Sequence, residues 1–201
     1  LDAVLFDEYQ THDGRMLAIR STAIDTGGHH TQATYRYVKA REARRVFAIK
    51  GVGGEGRAFV GRPNKSNIGK VRLFSVGVDT GKELVYGRLK ISEPGPGYCH
   101  FPIDRPDEYF QQLTAEKLVT RYVRGHAKRI WIKTRKRNEA LDVRVYAYAA
   151  YSIIGVNVNT IASKMERTST QEPENGDSVS DSREQSRPSR KRRGGFVNQW
   201  R

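Results

Sequence analysis

Two acidic positions could help to hold a metal ion. Asp25 ends an apolar stretch and precedes Thr26–Gly28, and Asp142 lies near the start of a long helical pattern, three residues after Glu139. Carboxylates at the ends of strands in α/β sheets lie where ligands bind. Each also has a structural interpretation: Asp25 as a turn residue that bonds its own backbone, and the helical acids as partners of the helix dipole. The spacing alone leaves both interpretations open.

Three nearby side chains could act on a phosphate. His29 and His30 follow the glycines and could be metal ligands, proton shuttles or phosphate contacts, although histidines in a loop are often plain surface residues. Lys50 ends an apolar stretch, and its ammonium could reach a scissile phosphate or simply extend into water.

Two apparent motifs do not support a site. Residues 61–67 read GRPNKSN, but Asn64 occupies the position of the second glycine of a P-loop, so no ATPase is visible and we expect this portion not to bind ATP. Cys99 and His100 are adjacent, and adjacent side chains on an extended segment point apart, which makes them poor joint ligands. A packing role is predicted for that pair.

The charge balance favours a phosphate-rich partner. The 201 residues carry a net charge of +14. Residues 166–201 contain eight basic and six acidic side chains, so +12 belongs to residues 1–165. A basic folded part is typical of proteins that bind nucleic acid.

Composition also limits the compartment and the size of the core. Only 37% of the residues are hydrophobic, so part of the chain is expected to build no core. The single cysteine excludes an internal disulfide and suits a reducing cytoplasm. The longest apolar run, Ala147–Ile154, is too short to cross a membrane, and the residues that follow Leu1 do not read as a signal peptide.

Hydrophobic periodicity predicts an α/β fold for residues 1–165. Predicted strands lie at Met16–Ile24, Val46–Val52, Val71–Val78 and Ala127–Lys133. Predicted helices lie within Leu1–Gln10 and at Gln32–Arg44 (capped by Thr31), Lys82–Leu89, Asp107–Arg121 and Asn138–Ile154. A mobile loop is predicted at Gly53–Gly69.

The C-terminal part has a different composition. Residues 166–189 are polar and serine-rich, which predicts a disordered linker. A basic cluster, Arg190–Arg193, and the peptide GGFVNQWR at Gly194–Arg201 follow. This end is interpreted either as a docking peptide or as a frayed tail with incidental aromatic residues. The predicted domains are therefore 1–165 and 166–201.

Several long strings occur together in one order and resemble a known family. They are IDTGGHHTQATY, RRVFAIKGVGG, VGRPNKSN, VGVDTGKELVYGRLKI, EPGPGYCHFP, EYFQQLTAEKLVTRY and RNEALDVRVYAYAA. Together they resemble the nuclease half of lambda-like phage terminase large subunits over roughly residues 1–155. The resemblance implies an RNase H-like mixed sheet flanked by helices, which cuts concatemeric viral DNA with two divalent cations, Mg²⁺ or Mn²⁺. Asp25 matches the acid that ends the family's fourth strand, and Asp142 matches the acid on its last helix.

The resemblance also implies that parts of the family's nuclease are missing. Family members place the first three strands, with the first catalytic aspartate, upstream of the helix that begins here at Leu1, and an ATPase motor upstream of those. The sheet is thus expected to lack its first strands. Asp2, Asp7 and Asp79 are possible substitutes for the missing acid, although nothing in their spacing recommends them.

The implied mechanism is in-line attack by water on a phosphodiester, with Asp25 and Asp142 as metal ligands and Lys50 or His30 stabilising charge on the phosphate. The implied partners are double-stranded DNA, the terminase small subunit, and the portal of the procapsid through the C-terminal tail. The implied location is the host cell cytoplasm, with no membrane contact. The alternative is a non-catalytic DNA-binding and portal-docking module, inactive because its first catalytic strand is missing.

Overall fold

The computed structural model describes residues 1–163. The predictions for the linker, for Arg190–Arg193 and for Gly194–Arg201 therefore lie outside the described residues. Contacts divide the chain into a unit Leu1–Val156 and a unit that begins at Asn157, of which residues 157–163 are described. The first unit contains every element discussed below.

The first unit is a mixed α/β fold, as the sequence predicts. Its strands are β1 (Glu8–Gln10), β2 (Met16–Ala18), β3 (Thr22–Asp25), β4 (Val46–Val52), β5 (Asn64–Lys65), β6 (Arg72–Gly77), β7 (Glu116–Val123) and β8 (His126–Lys133). Its helices are α1 (Asp2–Leu5), α2 (Thr31–Lys39), α3 (Val78–Leu89), α4 (Asp107–Leu113) and α5 (Glu139–Ile154), with a 3₁₀ turn at Glu42–Arg44. No helix among the described residues is long and apolar enough to cross a membrane.

The central sheet has the strand order β3-β4-β6-β5. The strands β3, β4 and β6 are parallel, and β5 joins antiparallel to β6. Strand β3 is therefore an edge strand. Its last residue, Asp25, lies opposite Ile49 of β4, at the carboxyl end of the parallel strands.

Strand β4 supplies both faces of the core. Phe47 and Ile49 pack in a cluster with residues of α3, α4 and α5, whereas Val46 and Ala48 pack in a second cluster with residues of α1 and α2. Side chains alternate along a strand, and a parallel strand covered on both faces needs apolar residues at every position. The run VFAI at the start of β4 meets that requirement.

Two antiparallel hairpins complete the first unit, one formed by β1 and β2 and the other by β7 and β8. The second hairpin corrects the sequence prediction of a helix over Asp107–Arg121, which is wrong beyond α4. The chain forms β7 from Glu116 onward because each of its residues is paired with one of β8, from Glu116 opposite Lys133 to Val123 opposite His126. Tertiary pairing here overrides the local helical pattern.

Several predicted boundaries also differ from the structure. Residues 8–10 form β1 rather than the end of a helix, and the predicted strand Met16–Ile24 is divided into β2 and β3. Thr31 does not cap α2: it is the first helical residue, and its hydroxyl donates to the carbonyls of Thr26 and Gly28, while His30 is the N-cap. Helix α2 ends at Lys39, and the 3₁₀ turn follows.

Candidate functional site

Asp25 and Asp142 line one cavity, of about 660 Å³, together with Glu139 and Tyr146. Asp25 comes from the carboxyl end of β3, whereas the other three side chains come from the N-terminal half of α5. Most of the other lining residues are apolar, Leu1 and Leu5 among them. The fold thus brings together the two acids that the sequence analysis singled out.

Asp25 is held by its own turn. The backbone N–H of Gly27 donates to Asp25 Oδ1 at 3.0 Å, so the turn interpretation is correct. Thr26 is buried, and both its backbone N–H and its hydroxyl donate to the carbonyl of Ile49 at 2.9 Å, which fixes the end of β3 to β4. A carboxylate can accept about four hydrogen bonds or ligand contacts, so the turn leaves Asp25 free to bind a cation.

Tyr146 lines the same cavity close to both acids, and the sequence analysis does not single it out. Burial, the negative charges of Asp25 and Asp142, and a hydrogen bond to Asp25 together raise the pKa of its phenol to about 12. The phenol therefore keeps its proton at neutral pH and can donate a hydrogen bond to a carboxylate or a phosphate oxygen. The Tyr146 hydroxyl lies against Gly51 of β4. The sequence contains a signal for this contact, because a glycine inside a strand often marks a site where another group approaches the backbone closely.

Asp142 belongs to a buried polar network. Asn138 Nδ2 donates to Asp142 Oδ2 at 3.1 Å and to Glu116 Oε1 at 2.7 Å. Lys133 Nζ donates to Asn138 Oδ1 at 2.8 Å, and Lys82 Nζ donates to Glu116 Oε2 at 2.7 Å. Residues from α3, β7, β8 and α5 thus hold one carboxylate in place.

The electrostatics of Asp142 suit a cation ligand. Burial raises the pKa of its carboxyl above the usual value, the Lys82 ammonium lowers it, and the Glu116 carboxylate raises it. A cation in the cavity would offset the cost of ionising this half-buried group. The two carboxylates therefore fit a divalent ion, although residues 1–163 contain no group of three or more His, Cys, Asp or Glu side chains placed to hold a metal.

The other predicted site residues lie outside this cavity. His29 and His30 are exposed at the start of α2, and Lys50 is exposed on β4, one residue beyond the position opposite Asp25. None of the three lines the cavity with Asp25 and Asp142. Glu139 does line it, and its side chain also pairs with Arg137 at 3.3 Å.

Asp2, Asp7 and Asp79, considered above as additional metal-binding acids, have partners elsewhere. Asp2 pairs with Arg41 and accepts a bond from Tyr37, and the hydrogen bonds of Arg41 and Tyr37 hold the pKa of Asp2 down at about 2. Asp7 accepts from the backbone N–H of Glu8, and Asp79 accepts from that of Gly54 at 2.9 Å. None of these three aspartates lines the cavity that contains Asp25.

Cys99 and His100 contact different neighbours. Cys99 is half-buried and lines a small cavity with Arg88 and Tyr148. The His100 ring makes an edge-to-face contact with the Tyr98 ring, with 4.9 Å between the ring centroids.

Comparison with known proteins gives one family and two curated relatives. The model of the endonuclease domain of terminase large subunit gpA matches residues 1–165. The chain is 37% identical over 161 residues to the terminase large subunit of Escherichia phage lambda, and 35% identical over 163 residues to that of Enterobacteria phage P21. Each match covers 76% of this chain and 25% of the relative, so the chain spans about a quarter of the relatives' length. No solved structure gives a significant match.

Proposed function

The chain belongs to the family of terminase large subunit gpA endonuclease domains, and from this membership we propose that it cuts concatemeric viral DNA with the help of divalent cations. The observation that carries the proposal is the shared cavity of Asp25 and Asp142. The positive charge of residues 1–165 supports a duplex substrate, since phosphate contacts dominate the affinity of proteins for DNA.

Asp25 and Asp142 are the proposed ligands, and Mg²⁺ and Mn²⁺ are the proposed ions. Bound there, a cation would supply Lewis-acid stabilisation of the phosphate and would lower the pKa of the attacking water. Asn138 orients the Asp142 carboxylate, and Tyr146 presents a protonated phenol to the cavity. Lys50 and His30 remain proposed phosphate contacts. Because neither lines the cavity, they would contact a part of the DNA that lies outside it.

We further propose that the fold is RNase H-like and is completed by strands that pair with β3. Two features support this assignment: β3 is an edge strand of a parallel sheet, and the cavity beside it has an apolar wall that includes Leu5, Ile19 and Val143. Parallel sheets are normally covered on both faces, and an edge strand presents unpaired backbone N–H and C=O groups with which a further strand can pair. A strand on this edge would place its own carboxylate next to Asp25, where the family resemblance puts the first catalytic aspartate.

The remaining parts of the proposal concern the whole terminase. Residues 1–165 would form the nuclease domain, and residues 166–201 a linker with a docking peptide for the portal. Duplex DNA and the terminase small subunit are the other proposed partners, and the infected host's cytoplasm is the proposed location. ATP is not expected to bind to this portion.

A cleavage assay on supercoiled DNA tests the enzymatic proposal. The chain alone is expected to cut weakly or not at all with Mg²⁺ or Mn²⁺, and a version extended upstream is expected to cut. In the extended version, Asp25→Asn and Asp142→Asn should each reduce cleavage by about 100-fold or more, because each removes a metal ligand. DNA affinity should stay within about threefold, since neither residue contributes positive charge.

Asp104→Asn is the matched control, because Asp104 is exposed and lies outside the cavity. Normal cleavage by either active-site variant would contradict the assignment of that residue. Failure of the extended version to cut under any cation would favour the non-catalytic alternative, which family membership does not favour at present.

A further inference from the structure

The β7–β8 hairpin extends away from the packed part of the first unit. Near its base, Leu118, Val119 and residues 130–132 are half-buried, and Glu116 is buried. All ten residues from 120 to 129 are exposed, on both faces of the ribbon. We call residues 120–129 the hairpin tip. Its strands pair with each other along their whole length and with no other strand among the described residues.

The hairpin tip is strongly basic. It contains Arg121, Arg124, Lys128 and Arg129, as well as His126, and no acidic residue. Arg129 pairs with Glu83 at 3.1 Å, but no ion pair forms at the other three cations within residues 1–163.

Two features of the hairpin tip are unfavourable for the folded chain by itself. Arg121 lies directly opposite Lys128, and like charges in opposed positions of an antiparallel pair are destabilising. Arg124 has a φ of 50° and Gly125 a φ of 80°, so both turn residues are left-handed. Glycine or asparagine suits such a position better than arginine. An anionic partner would offset the repulsion and would explain a long cation at the turn.

The shape of the hairpin tip matches a groove of duplex DNA. Its four cross-strand pairs extend for roughly 14 Å at the usual rise per residue. The major groove of B-DNA is about 12 Å wide and admits a two-stranded antiparallel ribbon. Opposed residues share a face, so Arg121 and Lys128 point to one side, while Tyr122, 78% exposed, points to the other.

The base of the same hairpin reaches the candidate site. Glu116 accepts from Asn138 at 2.7 Å, Lys133 donates to Asn138 at 2.8 Å, and Asn138 in turn donates to Asp142. The hairpin therefore connects a duplex bound at its tip with Asn138, the residue that orients Asp142.

We propose that the hairpin tip is a duplex-binding element that enters a DNA groove and contacts phosphates on both sides through Arg121, Arg124 and Lys128. This inference rests on the proposed function, because it assumes that DNA is the substrate. Beyond the proposed function, it identifies the surface that holds the duplex. Because the ribbon contacts backbone phosphates, it holds DNA of any sequence.

The test is a duplex-binding titration of the 201-residue chain in EDTA, by fluorescence anisotropy at several salt concentrations. The triple variant Arg121→Ala, Arg124→Asn, Lys128→Ala should bind about 10- to 100-fold more weakly at moderate salt. The slope of log affinity against log salt should fall by about 2 to 3, because three phosphate contacts are lost.

A matched control removes three cations elsewhere: Arg62→Ala, Lys65→Ala and Lys70→Asn. All three control residues are exposed, and Lys70 also has a positive φ, of 51°. For this control variant, we expect the slope of log affinity against log salt to differ from that of the wild type by less than about one. Equal losses in the two triple variants would show that only net charge matters and would overturn the proposal.

Arg124→Asn by itself keeps the measurement independent of folding, since asparagine favours a left-handed turn. It should reduce the slope by about 0.9 with an unchanged melting temperature. Unchanged affinity and slope in both hairpin variants would overturn the proposal and point to an acidic protein partner. Binding in EDTA does not need a metal site, so hairpin-dependent binding without cleavage would contradict only the proposed function.

Discussion

The hydroxyl of Tyr146 occupies the space in which a side chain at residue 51 would stand. A Cβ atom on Gly51 would lie 2.6 Å from Tyr146 Oη and 3.0 Å from Val78 Cγ1. Strand β4 thus carries a glycine where α5 directs a polar side chain toward Asp25 and Asp142. The position of that phenol depends on the absence of one methyl group.

Gly51→Ala is expected to displace Tyr146. The contact at 2.6 Å is too short to persist, so the free energy of unfolding should fall by on the order of 1–3 kcal/mol. Cleavage by the extended version should fall with it, whereas duplex affinity should not. Chemical denaturation and the plasmid assay measure the two effects.

A double variant identifies the cause of that loss. Tyr146→Phe removes the hydroxyl that the new methyl group would meet, so Gly51→Ala combined with Tyr146→Phe should recover most of the stability lost by Gly51→Ala alone. Gly87→Ala is the control, because no atom lies within 4 Å of a Cβ on this helical glycine and alanine favours helices. Its stability should stay equal or rise. No recovery in the double variant would place the strain elsewhere.

Lys82 and Glu116 form a buried ion pair whose loss should be costly. Their side chains are 11% and 4% exposed, and the Nζ–Oε2 distance is 2.7 Å. Lys82→Met leaves the Glu116 carboxylate buried without its countercharge, which typically costs about 3–5 kcal/mol of unfolding free energy. Urea denaturation at neutral pH measures the change.

The exposed pair of Arg15 and Asp13 is the comparison for this experiment. Its N–O distance is 2.6 Å, similar to that of the buried pair, but the side chains are 67% and 55% exposed. Arg15→Met should therefore leave the free energy of unfolding nearly unchanged, because exposed ion pairs contribute little to stability. If the two substitutions had equal effects, burial would not be the reason for the strength of the Lys82–Glu116 pair.

Asp142→Asn is expected to stabilise the metal-free protein at neutral pH. The native pKa of Asp142 is raised, so the folded state binds its proton more tightly than the unfolded state does. Ionisation therefore lowers the free energy of unfolding above the native pKa, and this penalty disappears as the pH falls below the unfolded value of about 4.

The melting temperature of Asp142→Asn should thus exceed that of the wild type near pH 7, and the difference should shrink toward pH 4. Thermal melts in EDTA over this pH range measure it, with Asp104→Asn as the control. A difference that does not change with pH would be inconsistent with a raised pKa.

Deletion of Gly194–Arg201 tests the proposed portal contact. In the full terminase, loss of this peptide should abolish DNA packaging while cleavage persists, because Phe196 and Trp200 are the proposed anchors of the docking interface. A packaging assay and a cleavage assay on the same preparation separate the two activities. Unchanged packaging would return the peptide to the interpretation of a tail with incidental aromatic residues.

Elements whose residues carry a strong local pattern can be predicted from the sequence. The run VFAI predicts a strand buried on both faces, and the structure confirms β4 over Val46–Val52. The long apolar periodicity predicts α5, which begins one residue after the predicted Asn138. Asp25 and Asp142 could be singled out because each has a position relative to such an element.

Contacts between side chains that are far apart in the chain follow from the packing of the folded protein and cannot be predicted from local patterns. Lys82 and Glu116 read as ordinary surface charges, since an ion pair 34 residues apart leaves no local pattern. The same holds for Tyr146, whose phenol reaches the cavity because Gly51 admits it. Strand β7 was predicted as helix because its hydrogen-bond partners belong to β8, and cross-strand pairing is a property of two segments rather than of one.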